Sequence, residues 1–85
     1  MKENYQILIP KAVQKEIRKL DNRILERISR KINELSINPL VGDVKRLSNS
    51  SSYRARVGDY RIVYLINEIE KVVYITRVRH RREIY

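Results

Sequence analysis

The chain has no cysteine, no phenylalanine and no tryptophan, and only one histidine, two glycines and two prolines. Without cysteine there is neither a disulfide framework nor a thiolate metal site, and one imidazole cannot assemble a histidine cage. Any catalysis is therefore expected to be metal-independent, unless carboxylates alone hold an ion, and no cofactor is expected. The lack of Phe and Trp excludes the aromatic platform on which many RNA-binding modules stack bases, leaving that task to tyrosine or arginine. No stretch nears the roughly 20 apolar residues of a membrane span, and the first residues lack the apolar run of a secretory signal. The expected compartment is the cytoplasm, with no membrane partner. Acidic residues are also scarce: 19 Lys and Arg face 10 Asp and Glu, a formal charge of +9. Such an excess repels itself in the compact state and points to an anionic client. Nucleic acid is favoured and an acidic protein comes second. A membrane surface is disfavoured, because no basic amphipathic helix carrying Trp or Phe is present.

What is present fits one domain, residues 1–85, with 42% hydrophobic residues to build a modest core. Tyr5 to Ile9 is a short apolar run ending at Pro10, which predicts a first strand followed by a helix with proline in its first turn. Val13, Ile17 and Leu20 repeat at helical spacing, and after Asp21-Asn22 a second stripe runs through Ile24, Leu25, Ile28, Ile32 and Leu35. Asp21 suits an N-cap in a short connection, and Asn38-Pro39 stops the second helix, giving an antiparallel helical hairpin. Beyond Gly42 the pattern becomes β: Val44 to Leu47, a Ser-rich loop at Ser48 to Ser52, Tyr53 to Val57, Tyr60 to Asn67 and Val72 to Val78. The fold class is α+β: an N-terminal strand, an antiparallel helical hairpin, then a mostly antiparallel β-meander.

Gly58-Asp59 separates two runs of β-formers, and Gly at the first central position suits a two-residue type II′ turn. That turn pairs Val57 with Tyr60, Arg56 with Arg61, Ala55 with Ile62 and Arg54 with Val63. Tyr53, Ala55, Val57, Tyr60, Ile62 and Tyr64 then share the helix-facing side, while Arg54, Arg56 and Arg61 share the other. Like charges placed opposite each other cost about as much as the roughly 0.2–1 kcal/mol that a favourable cross-strand pair gains, a cost that a bound anion offsets. The bland alternative is a solvated strand face. Arg77, Arg79, His80, Arg81 and Arg82 fall within six residues, so charge density peaks near the end of the sequence. Guanidinium groups suit phosphate because the planar fork donates paired hydrogen bonds at any working pH. His80 has the intrinsic pKa of a proton-transfer group, and an ordinary exposed histidine is the competing explanation. The basic residues of the helices, such as Lys15, Arg27, Arg30 and Lys31, read most simply as solvated faces.

The run Tyr53-Arg-Ala-Arg-Val-Gly-Asp-Tyr-Arg-Ile-Val-Tyr64, followed by Arg77-Val-Arg-His-Arg-Arg-Glu-Ile-Tyr85, resembles the RelE family of toxin–antitoxin ribonucleases over most of the chain. The resemblance implies a ribosome-dependent, metal-independent endoribonuclease that cuts mRNA in the A site, the 2′-hydroxyl attacking the adjacent phosphate. It implies three partners: the ribosome, mRNA and an acidic, RelB-like antitoxin. By motif position, Arg54 and Arg56 stand where the family often has lysines that bind phosphate and assist proton transfer. Arg61 matches the arginine that stabilises the transition-state phosphate. Arg81 matches a basic residue acting on the leaving oxygen, and Tyr85 an aromatic that stacks on or orients the nucleotide. Arg77, Arg79 and Arg82 are expected to contact RNA phosphates. With a pKa above about 12, arginine is a poor general base, which leaves the proton acceptor open, with His80 as a candidate. Two other functions stay open: a ParE-like inhibitor of DNA gyrase on the same fold, and a non-catalytic RNA- or ribosome-binding module.

Overall fold

A computed structural model describes residues 4–40, 42, 44–47 and 51–84, with the backbone alone for 83 and 84. Strand β1 (Gln6–Leu8) leads into α1 (Lys11–Arg18) and α2 (Asn22–Ile37), followed by β2 (Val44–Arg46), β3 (Ser52–Val57), β4 (Tyr60–Asn67), β5 (Val72–His80) and a short terminal α3 (Arg81–Ile84). The sheet order is β1-β5-β4-β3-β2, with β1 parallel to β5 and every other pair antiparallel. The meander thus holds four consecutive strands, and the N-terminal strand closes the far edge. No helix among the described residues is long and apolar enough to cross a membrane.

Pro10 sits one place earlier than expected, as the N-cap of α1 rather than inside its first turn. Its φ of −59° suits a helix, but its ψ of 153° is extended, so the helix begins at the next residue. Its carbonyl still accepts the first helical bond, from Gln14 N at 2.9 Å. Asp21 caps α2 by accepting from Ile24 N at 3.1 Å, the bond that makes an Asp worth about 1 kcal/mol there. The connection between the helices is only Lys19 to Asp21. The Ser-rich segment expected at 48–52 lies largely outside the described residues, apart from Ser51 and the first residue of β3.

Both helices cover one face of the sheet. Val13, Ile28 and Leu35 from the helices form a single cluster with Ala55, Val57, Ile62, Tyr64, Val73, Ile75 and Val78 from the strands. Tyr64 is fully buried at its centre, stacked on Tyr53 with ring centroids 5.9 Å apart, and its hydroxyl donates to Pro39 O at 2.5 Å. That bond ties the end of α2 to the sheet, and burial drives the phenol well above its ordinary pKa range.

Candidate nucleic-acid interface

The β3–β4 register follows the expected two-residue turn: Val57 pairs with Tyr60, Arg56 with Arg61, Ala55 with Ile62 and Arg54 with Val63. Gly58 has φ +57°, and Asp59 is not in the left-handed region, the combination a type II′ turn requires. Ala55, Val57, Ile62 and Tyr64 are therefore buried, and Arg54, Arg56 and Arg61 take the face away from the helices.

The neighbouring strands enlarge this group. Arg61 is also opposite Arg79 on β5, so Arg56, Arg61 and Arg79 form one row across three strands. The next row carries Lys45, Arg54, Val63 and Arg77. Lys45 was not singled out from sequence, because the gap between Leu47 and Tyr53 leaves the β2–β3 pairing unspecified.

Arg77 and Arg79 reach this face through a break in alternation. Val73 and Ile75 are fully buried, so strict period-two alternation would send residues 77 and 79 into the core as well. The pairing instead shifts between Val63, opposite Arg77, and Tyr64, opposite Ile75, leaving Thr76 as an extra residue on β5. Thr76 Oγ1 donates to Val63 O at 3.1 Å and fixes the irregularity. Val78 then fills the core position at 4% exposure, Arg77 is exposed, and Arg79 lies opposite Arg61 in the register with its guanidinium on Glu16 of α1.

Arg61 is the one buried charged side chain among the described residues, at 6% exposure. Its Nη1 donates to Tyr60 O at 3.1 Å and, more weakly, to Gly58 O at 3.4 Å. No buried side-chain nitrogen lacks a partner among the described residues, so the rest of the guanidinium keeps contact with open space. That space is a cleft of about 190 Å³ lined by Gly42, Val44, Lys45, Arg54, Arg56 and Arg61. A guanidinium held from behind by turn carbonyls and open in front offers donors in a fixed fork to an anion. Arg79 is partly neutralised by an ion pair with Glu16 of α1, whereas Arg56 joins no ion pair among the described residues.

Arg81 is brought to the same end of the sheet, its backbone N donating to Asp59 O at 2.7 Å and its Nε 4.0 Å from the Asp59 carboxylate. His80 is not brought to the arginine face. It pairs with Tyr60, on the side that carries Ile62 and Val78, with its ring edge-on to Tyr60 at 5.3 Å and its Nδ1 accepting from Arg82 N at 3.3 Å. Arg77 and Arg82 are exposed. Tyr85 lies outside the described residues. Among the described residues no three His, Asp or Glu side chains come together as a metal cage.

The chain as a whole is similar to known proteins. A family model described as ParE toxin of type II toxin–antitoxin system, parDE, matches residues 7–85. The chain is 34% identical to Toxin RelG of Mycobacterium tuberculosis over 95% of both sequences. A chain in the crystal structure of the archaeal RelE–RelB complex from Pyrococcus horikoshii superposes with TM-score 0.83 and 31% identity, covering 92% of this chain and 96% of that one. A chain of the RelB–RelE antitoxin–toxin complex from Methanococcus jannaschii gives TM-score 0.75 and 32% identity, with 92% and 94% covered.

Proposed function

The chain belongs to the RelE/ParE superfamily of type II toxin–antitoxin toxins, and from that membership we propose that it is a ribosome-dependent endoribonuclease cutting mRNA in the A site. The observation that carries this reading is the seating of Arg61: buried, braced by turn carbonyls, and open to a cleft walled by Lys45, Arg54 and Arg56.

In the proposed reaction the 2′-oxygen bonds to the adjacent phosphorus as the bond to the 5′-oxygen breaks, giving a cyclic phosphate and a 5′-hydroxyl. One proton leaves the 2′-hydroxyl and one joins the 5′-oxygen. Arg61 donates to the phosphate oxygens where negative charge builds, the kind of preorganised stabilisation that usually contributes most to catalysis. Arg54 and Arg56 grip flanking phosphates as fixed charges. A guanidinium stays charged at any working pH and does not accept the proton, so water takes it from the 2′-hydroxyl and water returns one to the 5′-oxygen, while positioning and electrostatics provide the acceleration. Arg81 donates to the leaving 5′-oxygen, and Tyr85 stacks on the nucleotide. Arg77, Arg79 and Arg82 add phosphate contacts. His80, turned toward Tyr60, acts as a positioning residue that holds the start of α3 through Arg82 N.

The proposed inhibitor is a cognate acidic, RelB-like antitoxin. Its support is that similar chains were crystallised as RelE–RelB complexes, and that +9 of charge needs an acidic cover. The test is purified protein with mRNA-programmed ribosomes, mapped by primer extension beside naked RNA. Breaks in the A-site codon that require ribosomes are the expected result. The ParE description of the matching family model favours a second reading, binding and inhibition of DNA gyrase. A block of plasmid supercoiling together with intact mRNA on ribosomes would establish that reading instead.

A further inference from the structure

A second basic cleft, of about 370 Å³, opens between α2 and the tip of the β3–β4 hairpin. Arg27, Arg30 and Lys31 form its helical wall with Glu34, and Arg56, Val57 and Gly58 form its strand wall. Among the described residues, four cations and one carboxylate line it. Arg30 is paired with Glu26 at 2.7 Å and Lys31 with Glu34 at 3.4 Å. Arg27 and Arg56, on opposite walls, join no ion pair among the described residues.

Two contacts connect this cleft to the one around Arg61. Arg56 lines both. Lys31 lines the second, and its Nζ reaches to 2.9 Å from where a Cβ on Gly42 would lie, Gly42 being in the wall of the first. The Arg27 guanidinium lies against the hairpin tip, 3.1 Å from the position of a Cβ at Gly58. Glycine thus serves twice at position 58, adopting φ +57° and leaving room for Arg27.

We propose that the Arg27–Arg56 cleft is a second phosphate-binding subsite, and that a single RNA strand whose scissile phosphate lies at Arg61 crosses Arg56 into it. The inference rests on the nuclease reading above and extends it to the substrate's path. Phosphate fits better than an acidic peptide, because protein interfaces are anchored by aromatic and other buried side chains, whereas among the described residues the only apolar wall residue here is Val57. Cations lining a cleft grip the phosphate backbone, a contact that carries no sequence information. The helical cations Arg27, Arg30 and Lys31, which read from sequence as a solvated face, become part of the binding surface.

The test is fluorescence anisotropy with 2′-O-methyl single-stranded RNA, which lacks the attacking hydroxyl and stays uncut. One oligonucleotide is long enough to cross both clefts, and a trinucleotide is confined to one. Arg27→Gln is expected to weaken the long oligonucleotide and to reduce the slope of log affinity against log salt by about 0.7, the value for one lost single-strand phosphate contact. Its trinucleotide affinity stays as in the unchanged protein. Lys15→Gln, which removes one charge from α1, should leave the slope in place, and far-UV circular dichroism confirms that both variants are folded. Equal slopes for Arg27→Gln and Lys15→Gln overturn the subsite. So does a loss confined to an acidic competitor, tested with poly-glutamate, which would assign the cleft to a protein partner. If the unchanged protein binds neither oligonucleotide, the subsite is overturned whatever the ribosome assay shows; if Arg61→Ala alters neither affinity, the placing of the scissile phosphate at Arg61 falls and the strand path with it.

Discussion

Arg61 is placed where a cation is expensive: 6% exposed, opposite Arg56 on one side and Arg79 on the other, with carbonyl oxygens but no carboxylate among its described partners. Each opposed like-charge pair works against the fold, so the position costs stability that only a bound anion returns. Removing the charge should therefore separate function from stability. Arg61→Ala is expected to lower single-turnover cleavage on ribosomes by about 10²–10³-fold, the usual effect of deleting a preorganised transition-state donor. Its melting temperature should hold or rise, and a melting temperature that fell with activity would mark Arg61 as structural. Arg61→Lys should recover little, since an ammonium lacks the fork that bridges two phosphate oxygens. The side on which Arg61 lies was legible in the sequence, because Gly58-Asp59 sets the hairpin register. Its burial was not, since alternation fixes the face of a side chain and not how far its neighbours cover it. His80 shows the same limit. Its neighbours in sequence are arginines, but parity along β5 after the bulge turns it toward Tyr60.

At the scale of elements the decisive feature is the bulge on β5. The run from Val72 reads as one strand, and nothing in Ile75-Thr76-Arg77 announces an extra residue, so alternation alone misplaces Arg77 and Arg79. The misplacement is detectable only by noting that it would bury two guanidiniums, which the interior does not accept unpaired. Deleting Thr76 should restore period-two alternation and drive both arginines inward, abolishing the cooperative unfolding transition seen by circular dichroism. Thr76→Ala removes only the bond to Val63 O and should cost about 0.5–1.5 kcal/mol in a denaturant titration. The opposite end of the sheet is held by a polar cluster that the sequence did not suggest, because its members are distant in the chain. Tyr5 OH donates to Glu68 Oε1 at 2.5 Å, and Lys71 Nζ lies 3.5 Å from both. The Tyr5 hydrogen bond holds Glu68 below the usual carboxylate range, and the same bond holds Tyr5 above the usual phenol range. The Glu68 contribution is thus complete above the ordinary carboxylate pKa of about 4.3 and disappears as pH falls through its lower folded value. The Tyr5 contribution is complete below about pH 10 and disappears as pH rises through its higher folded value. Amide exchange in β1 should accelerate at both extremes in the unchanged protein, and Glu68→Gln should remove the acid limb. An acid limb that persists in Glu68→Gln would assign it to other carboxylates.

For the molecule as a whole, +9 of charge is confined to a body of 35 × 28 × 24 Å. At about 0.01 M salt the screening length is roughly 30 Å, so every cation feels every other across the protein; at about 0.15 M it is about 8 Å, and only neighbours interact. The two properties that depend on this charge should then respond to salt in opposite directions. Folding brings the charges together, so screening favours the compact state, and the melting temperature should rise between those salt concentrations. Binding to RNA releases counterions from the strand, so affinity should fall over the same range, with a log–log slope of about −0.7 for each phosphate neutralised. With Lys45, Arg54, Arg56, Arg61 and Arg77 all on one face, the slope for single-stranded RNA should be about −3 to −4. A melting temperature that drops with salt would mean that the ion pairs, such as Arg79 with Glu16, outweigh the repulsion. A slope near −1 would mean that the two rows of cations do not bind one strand together. Both signs as expected would show a fold that tolerates its own charge and binds a polyanion through it.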